Sequence, residues 1–373
     1  MDKKVEEAKN KAIKVLDGVS TKNGLYASGG KDGYTSVWAR DSMISLITAT
    51  ANTNEFMKVY EASLKTLATH QSHNGQIPND VDVFEKRKLV TFATIDSSLW
   101  FVLGEYFYKK SFGDTLWEKH HDHIHDAMIW VSFQDAGEDL MPEQLPTSDW
   151  QDCFPHKYGH TINTQALYYA GLKTLGKNGL TKKLKKQVNK YLWSEKLGYY
   201  LPWHWKDHEK YHEKEEWFDS LGNLLAIIFD LASDEQANKI LNYIKRKKIA
   251  EPYPIRAIYP PIKKGSKEWH DYFNASMAGT ANDYLNGGIW PFIGGFYVCA
   301  LVHSKRFKEA EKALENLAEG NSLGKGKNAS WDFNEWIHPV LKSAEGGRHQ
   351  SWSAGGYLLA YEAVKSKKNP LKI

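Results

Sequence analysis

Apolar positions recur with helical spacing from one end of the chain to the other. Leu99, Val102, Leu103 and Tyr106 form an i, i+3, i+4, i+7 stripe, as do Leu221, Leu224, Leu225 and Ile228; a third stripe runs through Ile162, Ala166, Tyr169 and Leu172. Each predicts a helix with one buried face. Counting such segments with their caps predicts about twelve helices, near 2–17, 41–52, 54–71, 94–109, 114–133, 161–175, 180–193, 217–231, 234–247, 287–303, 305–319 and 351–366. Ser233 and Gln236 in "SDEQ" predict a capping box at one of the starts.

The links alternate in length. Those within helix pairs are short, as at "NTNE" and "LASDEQ", whereas those between pairs are long and rich in Trp, Tyr, Gly, Pro and acids: 18–40, 72–93, 134–160, 194–216, 248–286 and 320–350. Six helical hairpins closed in a ring would bring these six connections to one rim, the layout of an all-α (α/α)6 barrel formed by residues 1–373 as a single domain. Loops beyond about 12–15 residues without structure of their own are functional or disordered. These are too aromatic for disorder and are expected to wall a pocket.

Composition narrows the classes of partner. The net charge of +4, from 49 basic and 45 acidic side chains, gives no field that would recruit nucleic acid, and the lysine runs at 181–190 and 244–249 fall on predicted helices as solvated faces. No apolar run approaches the ~20 residues that span a bilayer, so no membrane partner is expected. With only Cys153 and Cys299 and a start that reads as an amphipathic helix rather than a secretion signal, a reducing, cytoplasmic setting is expected. The 13% aromatic content, with 14 Trp, is the unusual figure. Indoles and phenols fill cores, but they are also natural platforms for the C–H faces of sugars, which points to a small carbohydrate.

The acids in the long loops suggest what happens to that sugar. "SVWARDS" offers Trp38, Arg40 and Asp41 at a helix start, and "FATIDSSLW" offers Asp96 and Trp100 at the next. Each Asp alone reads as a cap. Together they suit a pyranose, because a carboxylate accepts from two neighbouring hydroxyls while a guanidinium donates to a third. "SDWQDCF" places Asp149 and Asp152 around Trp150 on the same rim, and across the ring "SWDFNEWIHP" puts Glu335 between Trp331 and Trp336. One acid on each side of a pocket is what inverting glycoside hydrolysis requires: a protonated carboxyl donates to the departing oxygen, and the opposite carboxylate activates water. Asp149 divides between binding a hydroxyl and a structural role such as pairing with Lys157, and Asp219 between a cap and a pocket lining.

The run "DCFPHKYGHTINTQALYYAGL" resembles the acid-bearing segment of the neutral/alkaline invertases, and its second half is similar to the amylo-1,6-glucosidase domain of glycogen debranching enzymes. "VWARDS", "TIDSSLWFVL", "FDSLGNLLAI", "NGGIWPF" and "HQSWSAGGYLLA" match further elements in order, so the resemblance spans roughly residues 34–364. It implies a six-hairpin glycosidase toroid with Asp152 as proton donor and Glu335 as general base. It also places Gln165, Trp290, Gln350 and Trp352, on matched elements, with Trp38, Arg40, Asp41, Asp96, Trp100, Asp149 and Trp150 around the substrate. Glu345 in "SAEGGRHQ" is the rival base, disfavoured by its small, polar surroundings. The reaction so read is cleavage of an α-glucosidic bond in sucrose or a short α-gluco-oligosaccharide.

Two other readings compete. The same barrel also hosts sugar epimerases and non-catalytic carbohydrate binders, and in an epimerase His160 and His349 would become central. "KHHDHIHD" (119–126) is the obvious metal candidate, yet it lacks any HExxH or CxxC arrangement and reads as a surface helix. The expected chemistry uses no metal or other cofactor.

Overall fold

Six helices buried on every side form the centre of the molecule, which we describe from a computed structural model covering residues 2–29, 33–82, 89–154, 156–207, 211–274, 276, 278–326 and 328–373. Thirteen α-helices occur among these residues: α1 (Lys3–Val19), α2 (Ala39–Thr50), α3 (Met57–Thr69), α4 (Asp96–Phe112), α5 (Thr115–Lys119), α6 (His121–Ser132), α7 (Ile162–Thr174), α8 (Asn178–Tyr191), α9 (Ser220–Ile228), α10 (Asp234–Arg246), α11 (Pro291–His303), α12 (Phe307–Ser322) and α13 (Ser351–Ser366). The inner ring runs α2, α4, α7, α9, α11, α13 and closes back from α13 onto α2. The remaining helices back it from outside: α3 packs on α2 and α4, α6 on α4, α8 on α7, α10 on α9, α12 on α11 and α13, and α1 on α13. This is the (α/α)6 toroid that the alternating links predict.

The two layers follow from their sequences. Outer helices carry one apolar stripe, as in α8 with Thr181, Leu184 and Val188, or α12 with Ala310, Ala313, Leu314 and Leu317. Inner helices are buried along nearly their whole length: Ala39–Ala49 in α2, Pro291–Val302 in α11 and every residue of α9. The stripes on α4, α7 and α9 therefore understate their burial; a ring position covers a helix on both flanks as well as its core face. The polar residues this encloses bond to the backbone of their own helix: the hydroxyls of Ser42, Ser45 and Thr48 donate to the carbonyls of Trp38, Asp41 and Ile44 at 2.6, 2.6 and 2.7 Å.

The helix expected over 114–133 is broken at His120, which turns inward so that its Nδ1 lies 2.6 Å from Glu105 Oε1. The rest of the histidine run behaves as expected of a surface helix, with the side chains of His121 and His125 exposed. The predicted capping box of Ser233 and Gln236 is formed. Among the described residues no helix is long and apolar enough to cross a membrane.

Short β-ladders tie the rim together just ahead of the inner helices. Val37–Trp38 pairs with Asp80–Val81 before α2, His160–Thr161 with Trp203–Asp207 before α7, and Phe218–Asp219 with Ile258–Tyr259 before α9. Bridges from Ile289 to Ile337 and from Ser28 to Gln350 do the same before α11 and α13. The long connections are thus fixed at the end of the ring where the inner helices begin.

The closest approach in the ring is α11 against α13, where Gly295 lies on the Gly356 backbone and a Cβ at Gly295 would be driven into the Gly356 carbonyl. Gly295→Ala gains helix propensity worth about 1 kcal/mol, but overpacking costs about 1–3 kcal/mol, and backbone cannot rotate aside as a side chain can. The variant is expected to unfold at lower temperature by circular dichroism. An unchanged midpoint would mean the two helices slide apart freely.

Candidate active site

The rim encloses a cavity of about 300 Å³ lined by Trp38, Arg40, Asp41, Trp150, Asp152, Trp290, Glu335, Gln350 and Trp352, with Ala27, Tyr34, Cys153 and Tyr284 completing the wall. Nine of the residues singled out from the sequence therefore meet in one place, brought there by α2, α11, α13 and four long connections.

The floor is aromatic. Trp290 stands edge-on to both Trp150 and Trp352, with ring centroids 5.4 and 5.7 Å apart, and Trp352 stacks on Phe292 at 4.3 Å. Trp290 Nε1 donates to the Tyr284 carbonyl at 3.0 Å, which fixes that ring. Set into these rings are polar atoms that make no hydrogen bond to the protein, among them Asp41 Oδ2, Gln350 Nε2, Trp150 Nε1 and Trp352 Nε1. Buried polar groups need partners. A ligand with an apolar face and several hydroxyls would supply both kinds of contact.

On one side Arg40, buried at the first turn of α2, gathers three carboxylates. Its Nη2 donates to Asp152 Oδ2 at 3.0 Å, while Asp41 Oδ2 and Asp96 Oδ1 lie 3.7 and 3.9 Å from its other nitrogens. Burial opposes the guanidinium charge, but Asp152, Asp96 and Asp41 outweigh it and hold it firmly protonated. One cation cannot balance three anions. Burial, only partly offset by Arg40, pushes Asp41 and Asp96 each up to about 7, so the cluster retains protons near neutrality. The side chain of Asp152 is 33% exposed, against 8% for Asp41 and 0% for Asp96. Asp152 and Asp41 both line the cavity, Asp152 the more openly, and Asp96 lies out of a ligand's reach.

On the other side Glu335 accepts from the Gly347 N–H at 2.8 Å and from the Tyr284 hydroxyl at 3.2 Å. Both are donors, so they favour the carboxylate; burial nevertheless raises its pKa above the usual range, with the Asp152 charge adding to the effect. Gly346, at φ 68°, must lack a side chain here because a Cβ would strike Glu335 Oε2. Glu345, the rival, lies in the strand paired with Trp336–Ile337, accepts from the Ser343 hydroxyl at 2.6 Å and does not line the cavity.

Four residues expected at the substrate lie beneath the cavity wall instead. Asp96 is fully buried behind Arg40, and Trp100 packs in the core against Phe296. Gln165 is fully buried and donates to the Pro142 carbonyl at 2.7 Å. Asp149 takes the structural role: Lys157 Nζ lies 2.7 Å from its Oδ2 and 2.8 Å from Asp219 Oδ2, and its own carbonyl accepts from Arg40 at 3.1 Å. Asp219 caps α9 through the Gly222 N–H at 3.1 Å. Helix-start position cannot separate these from Asp41, because a rim residue may face the cavity or the layer below it. Tyr34 and Tyr284 line the cavity without having been singled out. Their only signal is position within long connections already rich in rings.

Comparison with known proteins places these features. The alkaline and neutral invertase family matches residues 213–367, which include Trp290, Glu335, Gln350 and Trp352. Among curated relatives, chloroplastic alkaline/neutral invertase E of Arabidopsis thaliana is 30% identical over 146 residues, covering 38% of this chain and 22% of its own length. Mitochondrial neutral/alkaline invertase 1 of Oryza sativa subsp. japonica is 25% identical over 331 residues, covering 71% of this chain and 50% of its own. The chain spans about half or less of the length of these relatives. Among solved structures, the GH63 mannosylglycerate hydrolase of Thermus thermophilus in complex with glucose superposes with a TM-score of 0.69 at 13% identity, covering 94% of this chain and 99% of that one.

The buried Lys157 knot carries a direct test. Lys157→Met leaves Asp149 and Asp219 without their cation in a dry site, which costs about 3–5 kcal/mol. Chemical denaturation should show a loss of that size; a loss under about 1 kcal/mol would mean the two acids are neutral in the fold. The chain is related to the alkaline and neutral invertases and shares the six-hairpin toroid of the glycosidases.

Proposed function

We propose that the chain is an inverting glycoside hydrolase that cleaves an α-glucosidic bond of a small sugar, sucrose or a short α-gluco-oligosaccharide. The observation that carries the proposal is that Asp152 and Glu335 open from different connections into one ring-lined cavity of about 300 Å³. That volume is at the small end of the ~300–1,000 Å³ of ligand sites and suits one or two sugar rings. The invertase relatives and the glycosidase fold favour the same chemistry. The proposal treats residues 1–373 as one catalytic domain, because the ring closes on itself, and places it in a reducing cytoplasm where Cys153 and Cys299 stay free.

In this reading Asp152, the most exposed carboxyl of the cluster around Arg40, donates to the departing oxygen. Glu335, accepting from two donors, takes a proton from the water that attacks the anomeric carbon. Arg40 and Asp41 hold ring hydroxyls, and the indoles of Trp150, Trp290 and Trp352 carry the apolar face and exclude bulk water. The sugar-epimerase alternative draws less support. His160 is buried away from the cavity, and His349 borders a separate surface groove with Trp331.

A screen against sucrose, trehalose, maltose, isomaltose and glucosylglycerate-type substrates finds the leaving group. With the active substrate, Glu335→Gln should lower kcat by about 10²–10⁴-fold. Asp152→Asn should do the same for sugar leaving groups but spare activated aryl glucosides, which need no protonation. Proton NMR in the first minutes should show β-sugar released from an α-linked substrate; initial α-anomer would mean retention and a carboxyl spacing of about 5 Å. Water activation requires ionised Glu335, so the acid limb of kcat/KM should lie above the ordinary glutamate range. Tyr284→Phe removes a donor that favours the carboxylate and should move that limb to higher pH. A limb that stays put would take Glu335 out of the base role.

A further inference from the structure

Three of the long connections meet at a second cluster, on the far side of the acid-bearing loop from the cavity. His156 follows Asp152 by four residues and is buried. From the neighbouring connection, Glu213 and Glu215 bring their Oε1 atoms to 3.7 and 3.9 Å from its Nε2. From the connection before α11, His270 lays its ring against that of His156 with centroids 3.7 Å apart. One ligand atom from each of His156, Glu215 and His270 lies within 4.8 Å of the other two. The separations to the carboxylates are too long for hydrogen bonds, and His270 Nε2 is buried without a hydrogen bond to the protein. Two imidazoles and a carboxylate from three different connections thus converge on one point.

We propose that His156, His270 and Glu215 bind a divalent transition metal of the zinc class. Ligands around one tetrahedral ion at ~2.0–2.1 Å stand about 3.4 Å apart, so the three side chains need only small rotations to converge. Two imidazoles with one carboxylate form a ligand set suited to zinc. The surroundings supply the outer support such sites use: the Tyr272 hydroxyl bonds His156 Nδ1, which leaves Nε2 for the ion, and the Tyr158 hydroxyl donates to Glu213 Oε2. Glu213 Oε1 lies 3.7 Å from His156 Nε2 and adds negative charge beside the three ligands. Glu213 lies in the strand Tyr211–Lys214 and Glu215 directly follows it, and both carboxylates approach His156 Nε2.

The ion is a clasp and takes no part in bond cleavage. It joins three connections that β-ladders and ring contacts also link, Phe154 lying on Trp217 and on Phe273 at 5.5 and 5.3 Å. Binding energy at such a site is folding energy for the loops it ties, and one of those loops carries Asp152. The inference stands apart from the hydrolase reading and is tested without it.

The full chain, stripped with EDTA and desalted, is titrated with ZnCl2 by calorimetry and with CoCl2 by visible absorption, and its Tm is followed. One ion per chain, tetrahedral cobalt bands and a Tm raised by several degrees are expected. Glu215→Gln and His270→Ala, both at half-buried positions that tolerate change, should each weaken binding at least tenfold and remove the Tm rise; Tyr272→Phe should weaken it about tenfold. A His121→Ala/His125→Ala variant disables the exposed histidine helix and should bind as the parent does. Absence of saturable binding, loss of binding in that control, or an equal Tm rise in His270→Ala and the parent would overturn the proposal.

Discussion

The site depends on one buried guanidinium. Arg40 sits at the first turn of α2 with Asp41 beside it, Asp96 at the start of α4 and Asp152 in the loop before α7 all within 4 Å. It also donates to the Asp149 carbonyl. Without that cation Asp41 and Asp96 would be left in a dry wall and Asp152 without its partner, a strongly destabilising loss. With it they are drawn to one point, and two inner helices and a long loop are held in register. Because the cluster has more acid than base, it does more than hold shape: excess carboxylate in low dielectric keeps protons that would be lost in water.

One layer down, Lys157 repeats the arrangement with the balance shifted. It sits between Asp149 and Asp219, and burial works against its charge, yet the two acids hold it above the usual range. Its amine also donates to Gln151 at 2.6 Å. The segment from Ser148 to Lys157 is thus pinned at both ends, by Arg40 at its carbonyl and carboxylate and by Lys157 beneath. A loop of this length would otherwise fray. Asp152 keeps a defined position through its own bond to Arg40 and through neighbours tied to Arg40 and Lys157.

Hairpins and ring can be read from the sequence because they rest on periodicity and on link length, which are local properties. The same is true of Trp38, Asp41, Asp152, Trp290 and Glu335, whose residue types and loop positions agree. What cannot be read is depth. Asp41 and Asp96 occupy equivalent places at the starts of α2 and α4, yet Asp41 faces the cavity and Asp96 lies behind Arg40; a helix rotation decides this, and the pattern around an all-buried helix leaves it open. Gln165 and Trp100 are displaced for the same reason. His156, Glu215 and His270 are out of reach for another: 114 residues separate the two histidines, and no spacing rule joins ligands from three connections, while the dense run at 119–126 points to a surface helix.

The two halves of the proposed reaction are held by separate networks. Asp152 hangs from Arg40, and so from α2 and α4; Glu335 hangs from Gly347 and Tyr284, in the connections that flank α11 and α12. Their charges couple across the cavity. The width of the gap, on which the admission of a water molecule turns, is then set by the ring of inner helices and by the rings of Trp150, Trp290 and Trp352 that span it. Small residues at the α11–α13 contact, Gly295 and Gly356, fix how closely that ring closes. Neither glycine lines the cavity, so a change there would act on the gap between the proposed acid and base only through the packing of α11 against α13. In the proposed reaction the toroid would thereby set the stereochemistry by geometry, and the long connections, which wall the outer part of the pocket, would choose the leaving group.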